Sequence, residues 1–229
     1  MTRTIKNLFL FIFFLPGILF GKIRIICTAA LTDAHYEFRK NQYIRAMETL
    51  KSYGYKEFYI IESCRKHGPS FLEEYSKNVF YAQTNDLTLR NNGINEAKTL
   101  LEGCKYFDFD PDDIIIKLTG RHSLISDFLL KTVESHPDVD AFIKVNENEN
   151  VYTVGFALRY KYLKEMYEHM DYASAEHFMT PIEYKVGDYF RSKKMSMPPL
   201  KVFHLNKLDI YAVLHGSSTH PTAVGVGTY

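Results

Sequence analysis

The stretch Asp108-Phe109-Asp110-Pro111-Asp112-Asp113-Ile114-Ile115-Ile116-Lys117-Leu118-Thr119-Gly120-Arg121-His122 decides how this chain folds. Its middle, Ile114 to Leu118, is β-branched and apolar with no polar alternation. A strand with one wet face alternates, whereas a strand covered by helices on both faces reads as a continuous apolar run. Asp110-Pro111-Asp112 has turn composition and feeds the strand from one end. At the other end, Lys117, Thr119, Gly120, Arg121 and His122 crowd polar chemistry onto one strand terminus. In open α/β sheets, ligands bind in the crevice beyond the carboxyl ends of the strands. Two cations, a hydroxyl and a glycine there suit a phosphate-bearing ligand. A surface turn with solvated Lys and Arg is the alternative that the stretch alone leaves open.

Outward from this strand, apolar runs and helical periodicities alternate. Lys22 to Ala30 reads as the first strand and ends in small residues. An amphipathic helix follows, with Tyr36, Tyr43, Ile44, Met47 and Leu50 on one side and Gly54 as its stop. Phe58 to Ile61 and Val79 to Tyr81 are the next strands, and a helix bearing Ala97, Leu100, Leu101 and Cys104 precedes the central one. Beyond it come a helix at Asp127 to Glu134, a strand at Ala141 to Val145, a turn at Asn146 to Asn150 and a return strand to Leu158. Helices around Tyr160 to His169 and Pro181 to Lys193 and strands at Leu200 to Phe203 and Ile210 to Leu214 complete the pattern. The tail from His215 to Tyr229, rich in Gly, Ser and Thr, shows none. The pattern predicts one α/β domain, a mostly parallel central sheet flanked by helices, with a hairpin and helices in the C-terminal half.

With 229 residues, 46% of them apolar, the chain can fill one core. A net charge of +1 gives no electrostatic case for nucleic acid. Cys27, Cys64 and Cys104 have neither metal spacing nor the pattern of a disulfide framework. Residues 1–21 read differently. Thr2-Arg3-Thr4-Ile5-Lys6 is basic, and Leu8 to Phe20 is apolar but for Pro16-Gly17. This resembles a secretory signal peptide, and it is short of the roughly 20 apolar residues of a spanning helix. Because Leu19 makes a poor cleavage site, an uncleaved signal anchor stays open. Residues 1–21 are therefore expected to direct the chain to a membrane or the secretory pathway, and residues 22–229 to form the folded domain.

Strand ends on one edge of a parallel sheet converge. That edge should collect Thr28-Ala29-Ala30, Glu62-Ser63, Thr84-Asn85 and Lys117 to Arg121. Small residues after the first strand admit a flat ring or a ribose. The helix start Asn91-Asn92-Gly93, with Arg90 beside it, offers backbone N–H groups and a positive dipole end to an anion. Asn91 serves equally well as an N-cap.

The order of small-residue strand end, acidic strand end, Asn-x-Gly helix start and central strand resembles the donor half of GT-A glycosyltransferases. The phrases Lys117-Leu-Thr-Gly-Arg-His122 and Asn92-Gly-Ile-Asn-Glu-Ala97 are similar to a small GT-A-like family, and the resemblance spans Lys22 to about Phe203. It implies a nucleotide-diphospho-sugar donor and a glycan, lipid or protein acceptor. The donor nucleotide would lie against Thr28, Ala29, Leu31, Glu62, Asn92 and Gly93, with its base toward the first four. The diphosphate would face Lys117, Thr119, Gly120 and Arg121. Most GT-A enzymes hold Mg²⁺ or Mn²⁺ on an Asp-x-Asp after the central strand. Here the acidic pairs Asp108/Asp110 and Asp110/Asp112 precede it, at the opposite end, so they read as a turn and not as metal ligands. Cations stand in the expected metal position, and metal dependence is left open. The later helices offer two carboxylates, Glu183 and Glu176, as the base an inverting transfer needs. Glu183 also sits where a capping-box acid would. His204, His215 and His220 match no ligand spacing. The rival from another class is a non-catalytic sugar- or nucleotide-binding module. A nucleotidylyltransferase would need a Gly-rich phosphate loop after the first strand, which is absent.

Overall fold

The computed structural model describes residues 21–33, 36–86, 88–215 and 224–228. The expected membrane-directing segment, 1–21, falls almost entirely outside them. In chain order the elements are β1 (Ile23–Ala29), α1 (Tyr36–Ser52), β2 (Tyr59–Glu62), a one-turn 3-10 helix (Phe71–Glu74), β3 (Asn78–Tyr81), α2 (Asn92–Tyr106), β4 (Ile114–Thr119), β5 (Ser123–Leu124), α3 (Phe128–Ser135), β6 (Ala141–Ile143) and β7 (Gly155–Arg159). There follow α4 (Tyr160–Glu168), α5 (Tyr172–His177), α6 (Ile182–Lys193), β8 (Val202–His204), β9 (Ile210–His215) and β10 (Val224–Thr228).

Seven strands form one sheet in the order β3-β2-β1-β4-β7-β6-β8. All its pairings are parallel except those of β7, which runs against both β4 and β6. β4, the apolar run of the opening stretch, is the middle strand. Its alternate residues feed two cores, as a two-residue period requires. Ile114, Ile116 and Leu118 join Tyr43, Met47 and Leu129 on the face covered by α1 and α3. Ile115 joins Ala97, Leu100 and Leu163 on the face covered by α2 and α4. Each such buried aliphatic side chain contributes about 1.5–3 kcal/mol. The predicted α/β layering with a mostly parallel sheet is present.

The acids before β4 form the turn read from their sequence. Asp110 accepts from the Asp112 N–H at 2.9 Å, and Asp112 pairs with Lys161 at 2.8 Å. Buried Asp113 takes the Arg24 guanidinium at 2.8 Å and the Lys22 N–H at 2.7 Å. All of them sit at the amino-terminal end of β4. The predicted hairpin is shorter than its sequence, since β6 and β7 pair only at Ala141–Leu158 and Phe142–Ala157. Beyond them a single bridge joins Val145 to Val151. Besides the one-turn 3-10 helix, three elements were not expected. α5 is six residues long, β5 is two, and β10 is Val-Gly-Val-Gly-Thr, whose glycines weaken any strand signal.

Candidate functional site

The carboxyl ends of β1 and β4 and the first turns of α2 and α6 enclose a cavity of about 540 Å³. That volume is typical of small-molecule sites. Thr28, Ala29, Thr119 and Arg121 line it from the strands, Asn92, Gly93 and Glu96 from α2, and Glu183 from α6. Gly120 closes the edge beneath. Its N–H donates to the Thr28 carbonyl at 2.9 Å, and a Cβ there would lie 2.8 Å from that oxygen. The glycine in Thr-Gly-Arg is therefore needed for the two strand ends to meet.

The cavity floor is one hydrogen-bonded chain. Lys117 shares a face with Ile115, so it points at α2 and is only 1% exposed. Its ammonium meets Glu96 Oε1 at 2.7 Å, Thr119 Oγ1 at 2.8 Å and the Thr153 carbonyl at 2.6 Å. Three donors thus have three acceptors. Thr28 Oγ1 donates to the same Glu96 oxygen at 2.6 Å. At the far end, Thr153 Oγ1 donates to Glu183 Oε1 at 2.7 Å. Burial, the largest single effect, raises the Glu96 carboxyl, but the Lys117 charge, the hydrogen bonds from Lys117 and Thr28 and the Arg121 charge together outweigh it and hold the group below the usual carboxylate range. Lys117, expected to face a diphosphate, is instead saturated below the floor. A charge so deep in a strand needs a paired carboxylate more than it can serve a ligand.

Of the expected cations, Arg121 is the one left for a ligand. It lines the cavity, is half-buried and makes no ion pair or hydrogen bond among the described residues. Arg39, also in the lining, donates to the Ala30 carbonyl at 2.8 Å. Arg90 pairs with Glu176 at 3.5 Å. Behind Arg121, His122 is 6% exposed and its Nδ1 has no partner. Burial first, then the charges of Arg121 and Lys117, push its imidazole down to about 3. An unfolded chain binds that proton near the ordinary 6.5. The folded pKa is depressed, so stability is lost as pH falls below 6.5 toward 3. Between pH 7 and pH 4.5 this group alone should cost about 2.5 kcal/mol. Urea denaturation across that range should show the slope in wild type and lose it in His122→Gln; parallel slopes would contradict it.

Three expectations are corrected. Glu176 does not face the cavity as a base. Its two oxygens accept from the Arg90 N–H at 3.0 Å and the Asn91 N–H at 3.1 Å, and these bonds lower its pKa. It caps the start of α2, so the N–H groups expected to meet a ligand anion there are largely spent. Asn91 caps the same turn by accepting from Gly93, while its amide donates to Thr180 and Ala175. Gly93 lines the cavity, but its tight spot is against Ile182, whose Cβ would lie 2.8 Å from an added Cβ. Leu31 and Glu62 do not line the cavity. Leu31 is buried, and fully buried Glu62 accepts from the N–H groups of Leu31, Cys64 and Arg65. Burial raises its pKa in spite of those bonds. Glu62 joins the loops after β1 and β2 and offers no surface to a base.

Glu96 and Thr153 were missed. A lysine inside an apolar strand calls for a buried acid nearby, and Glu96, on the Ala97 and Leu100 side of α2, is the one that meets it. Thr153 lies in an irregular segment whose pairing no sequence period reveals. Glu183 proves not to be a capping acid, because its bond is to Thr153 and α6 starts without a side-chain cap.

The metal position implied by the GT-A resemblance presents Thr119, Gly120 and Arg121, and the carboxylate beside it, Glu96, already holds an ammonium. Mg²⁺ and Mn²⁺ take several oxygen ligands, so this donor set does not fit them. Among the described residues no group of three or more His, Cys, Asp or Glu side chains gathers that could hold a metal. His204 is exposed on edge strand β8. His220 lies outside the described residues.

No family model and no curated protein matches the chain. Solved structures do. One is a glycosyltransferase involved in the glycosylation of the major capsid of PBCV-1, 10% identical, covering 79% of this chain and 81% of that one, with a TM-score of 0.47. Another is the galactosyltransferase LgtC in complex with donor and acceptor sugar analogs, 12% identical over 80% of this chain and 73% of that one, with a TM-score of 0.48. An active-site mutant of LgtC is 12% identical over 80% and 72%, with a TM-score of 0.45.

Proposed function

We propose that the chain is a small GT-A-like glycosyltransferase that moves a sugar from a nucleotide-diphosphate donor to an acceptor hydroxyl. One observation carries this reading. One cavity at the carboxyl edge of a mostly parallel sheet holds an arginine, Arg121, without an ion pair or hydrogen bond among the described residues, and a carboxylate, Glu183, aimed by a hydroxyl. The base and ribose would lie toward Thr28, Ala29 and Asn92, with the diphosphate on Arg121 and Arg39. The acceptor oxygen attacks the anomeric carbon as its bond to the diphosphate breaks, and Glu183 takes the acceptor proton. Negative charge grows on the leaving diphosphate, where a guanidinium already in place stabilises it most. No step in this account needs a divalent cation, although Mg²⁺ or Mn²⁺ carried in by the donor is compatible with it. Residues 1–21 would place the domain at a membrane or in the secretory pathway.

The rival reading is a sugar- or nucleotide-binding module using the same cavity, and the donor set unsuited to metal favours it. Both readings require Arg121. Arg121→Ala should weaken binding of a nucleoside diphosphate by about 1.5–3 kcal/mol, the usual loss of a charge-assisted contact. Calorimetry of the folded variant tests this, and unchanged affinity would remove Arg121 from the site.

A further inference from the structure

Glu96 has no role in the transfer just described, yet three side chains hold it in place. Its side chain is 30% exposed, toward the cavity. Every contact that fixes it falls on one oxygen. Oε1 takes the Lys117 ammonium at 2.7 Å, the Thr28 hydroxyl at 2.6 Å and the Thr119 hydroxyl at 3.4 Å. Oε2 accepts no hydrogen bond among the described residues. We propose that Glu96 reads the donor sugar through Oε2, and that it selects neutral, hydroxyl-bearing sugars against acidic ones. The inference rests on the nucleotide-sugar reading of the cavity.

Place comes first. The Arg121 charge also helps to hold the Glu96 carboxyl low, so the two side chains lie within electrostatic reach. On the other side, Glu96 connects through Lys117 and Thr153 to Glu183. A donor whose diphosphate meets Arg121 and whose anomeric carbon faces Glu183 must lay its sugar across Glu96.

Chemistry follows from place. An ionised carboxylate accepts hydrogen bonds and cannot donate one. Sugar hydroxyls are donors, and their bonds to a charged acceptor are among the stronger kind. A uronate ring would bring a second carboxylate against the first. Near neutral pH Glu96 cannot relieve that repulsion by taking a proton, because Lys117 keeps it charged. Nor can it swing aside, since its three contacts come from β1 and β4.

Calorimetry of the full chain with matched pairs tests this: UDP-glucose against UDP-glucuronate, and GDP-mannose against GDP-mannuronate, with UDP and GDP as sugar-free controls. In the nucleotide series that binds, the neutral sugar should bind at least about tenfold more tightly than its uronate, the scale of one charge-assisted contact. Glu96→Gln should narrow that ratio to within about threefold, each donor being read against the variant's own affinity for the sugar-free diphosphate. If the variant does not fold, the wild-type ratio decides alone. Equal or tighter binding of the uronate overturns the inference and leaves the nucleotide-sugar reading standing. If none of the donors binds and neither UDP nor GDP does, that reading falls and this inference with it.

Discussion

Glu183→Gln should lower turnover by about 10²–10⁴-fold while nucleoside-diphosphate affinity stays within about twofold. The amide oxygen of glutamine can still accept from Thr153 Oγ1, which now holds Glu183 Oε1 at 2.7 Å, so the side chain should keep its direction. What it loses is the capacity to take the acceptor proton. Among the described residues no hydrogen bond or ion pair ties Glu183 to Arg121 or Arg39, and donor affinity is therefore expected to survive. Glu176→Gln is the control. Glu176 holds the backbone of Arg90 and Asn91 at the start of α2, and its loss should act on the rim of the cavity and on stability more than on the chemical step. Steady-state rates beside calorimetric affinities separate the two. Equal activity of both variants would sink the assignment of Glu183 as base.

Lys117→Met should destabilise the fold by about 3–5 kcal/mol, the usual result of removing one partner of a buried pair. The methionine fills similar space but leaves Glu96 Oε1 without its ammonium and the Thr153 carbonyl without a donor. The double variant Lys117→Met/Glu96→Gln should recover part of the loss, because no charge is then stranded. The pH dependence has a definite sign. In wild type the Glu96 pKa is depressed, so its contribution is present above the ordinary carboxylate range and is lost as pH falls through the folded value. In Lys117→Met the stranded carboxylate is relieved by protonation, so the gap between variant and wild type should close in acid. Urea denaturation at pH 7 and pH 4 measures both effects. A gap that is small at pH 7, or equal at the two pH values, would contradict the pairing.

The contrast between Ile115 and Lys117 explains what could be read from the sequence. The apolar run from Ile114 was enough to identify the central strand, since only a strand covered on both faces tolerates it. The acids before the run were legible as a turn for a local reason, because Asp-Pro-Asp bonds within itself. Lys117 was misplaced because its closeness to the strand end outweighed the two-residue period. That period puts it with Ile115 against α2, one layer below the surface that Arg121 reaches. The contacts of Glu176 with Arg90 and Asn91 span more than eighty residues of sequence, and no local pattern announces them. Glu62 shows the same limit. An acid at a strand end looks like a ligand group until the loops that fold back onto it are known.

The most direct test of the central claim is release of nucleoside diphosphate from a panel of UDP-, GDP- and ADP-activated sugars by the full chain, with simple glycosides as acceptors. The account predicts release from at least one neutral nucleoside-diphosphate sugar, inhibition by its own nucleoside diphosphate, and loss of release in Glu183→Gln. No release from any donor, with one of them still binding in the cavity, would contradict transfer and leave a binding module as the function.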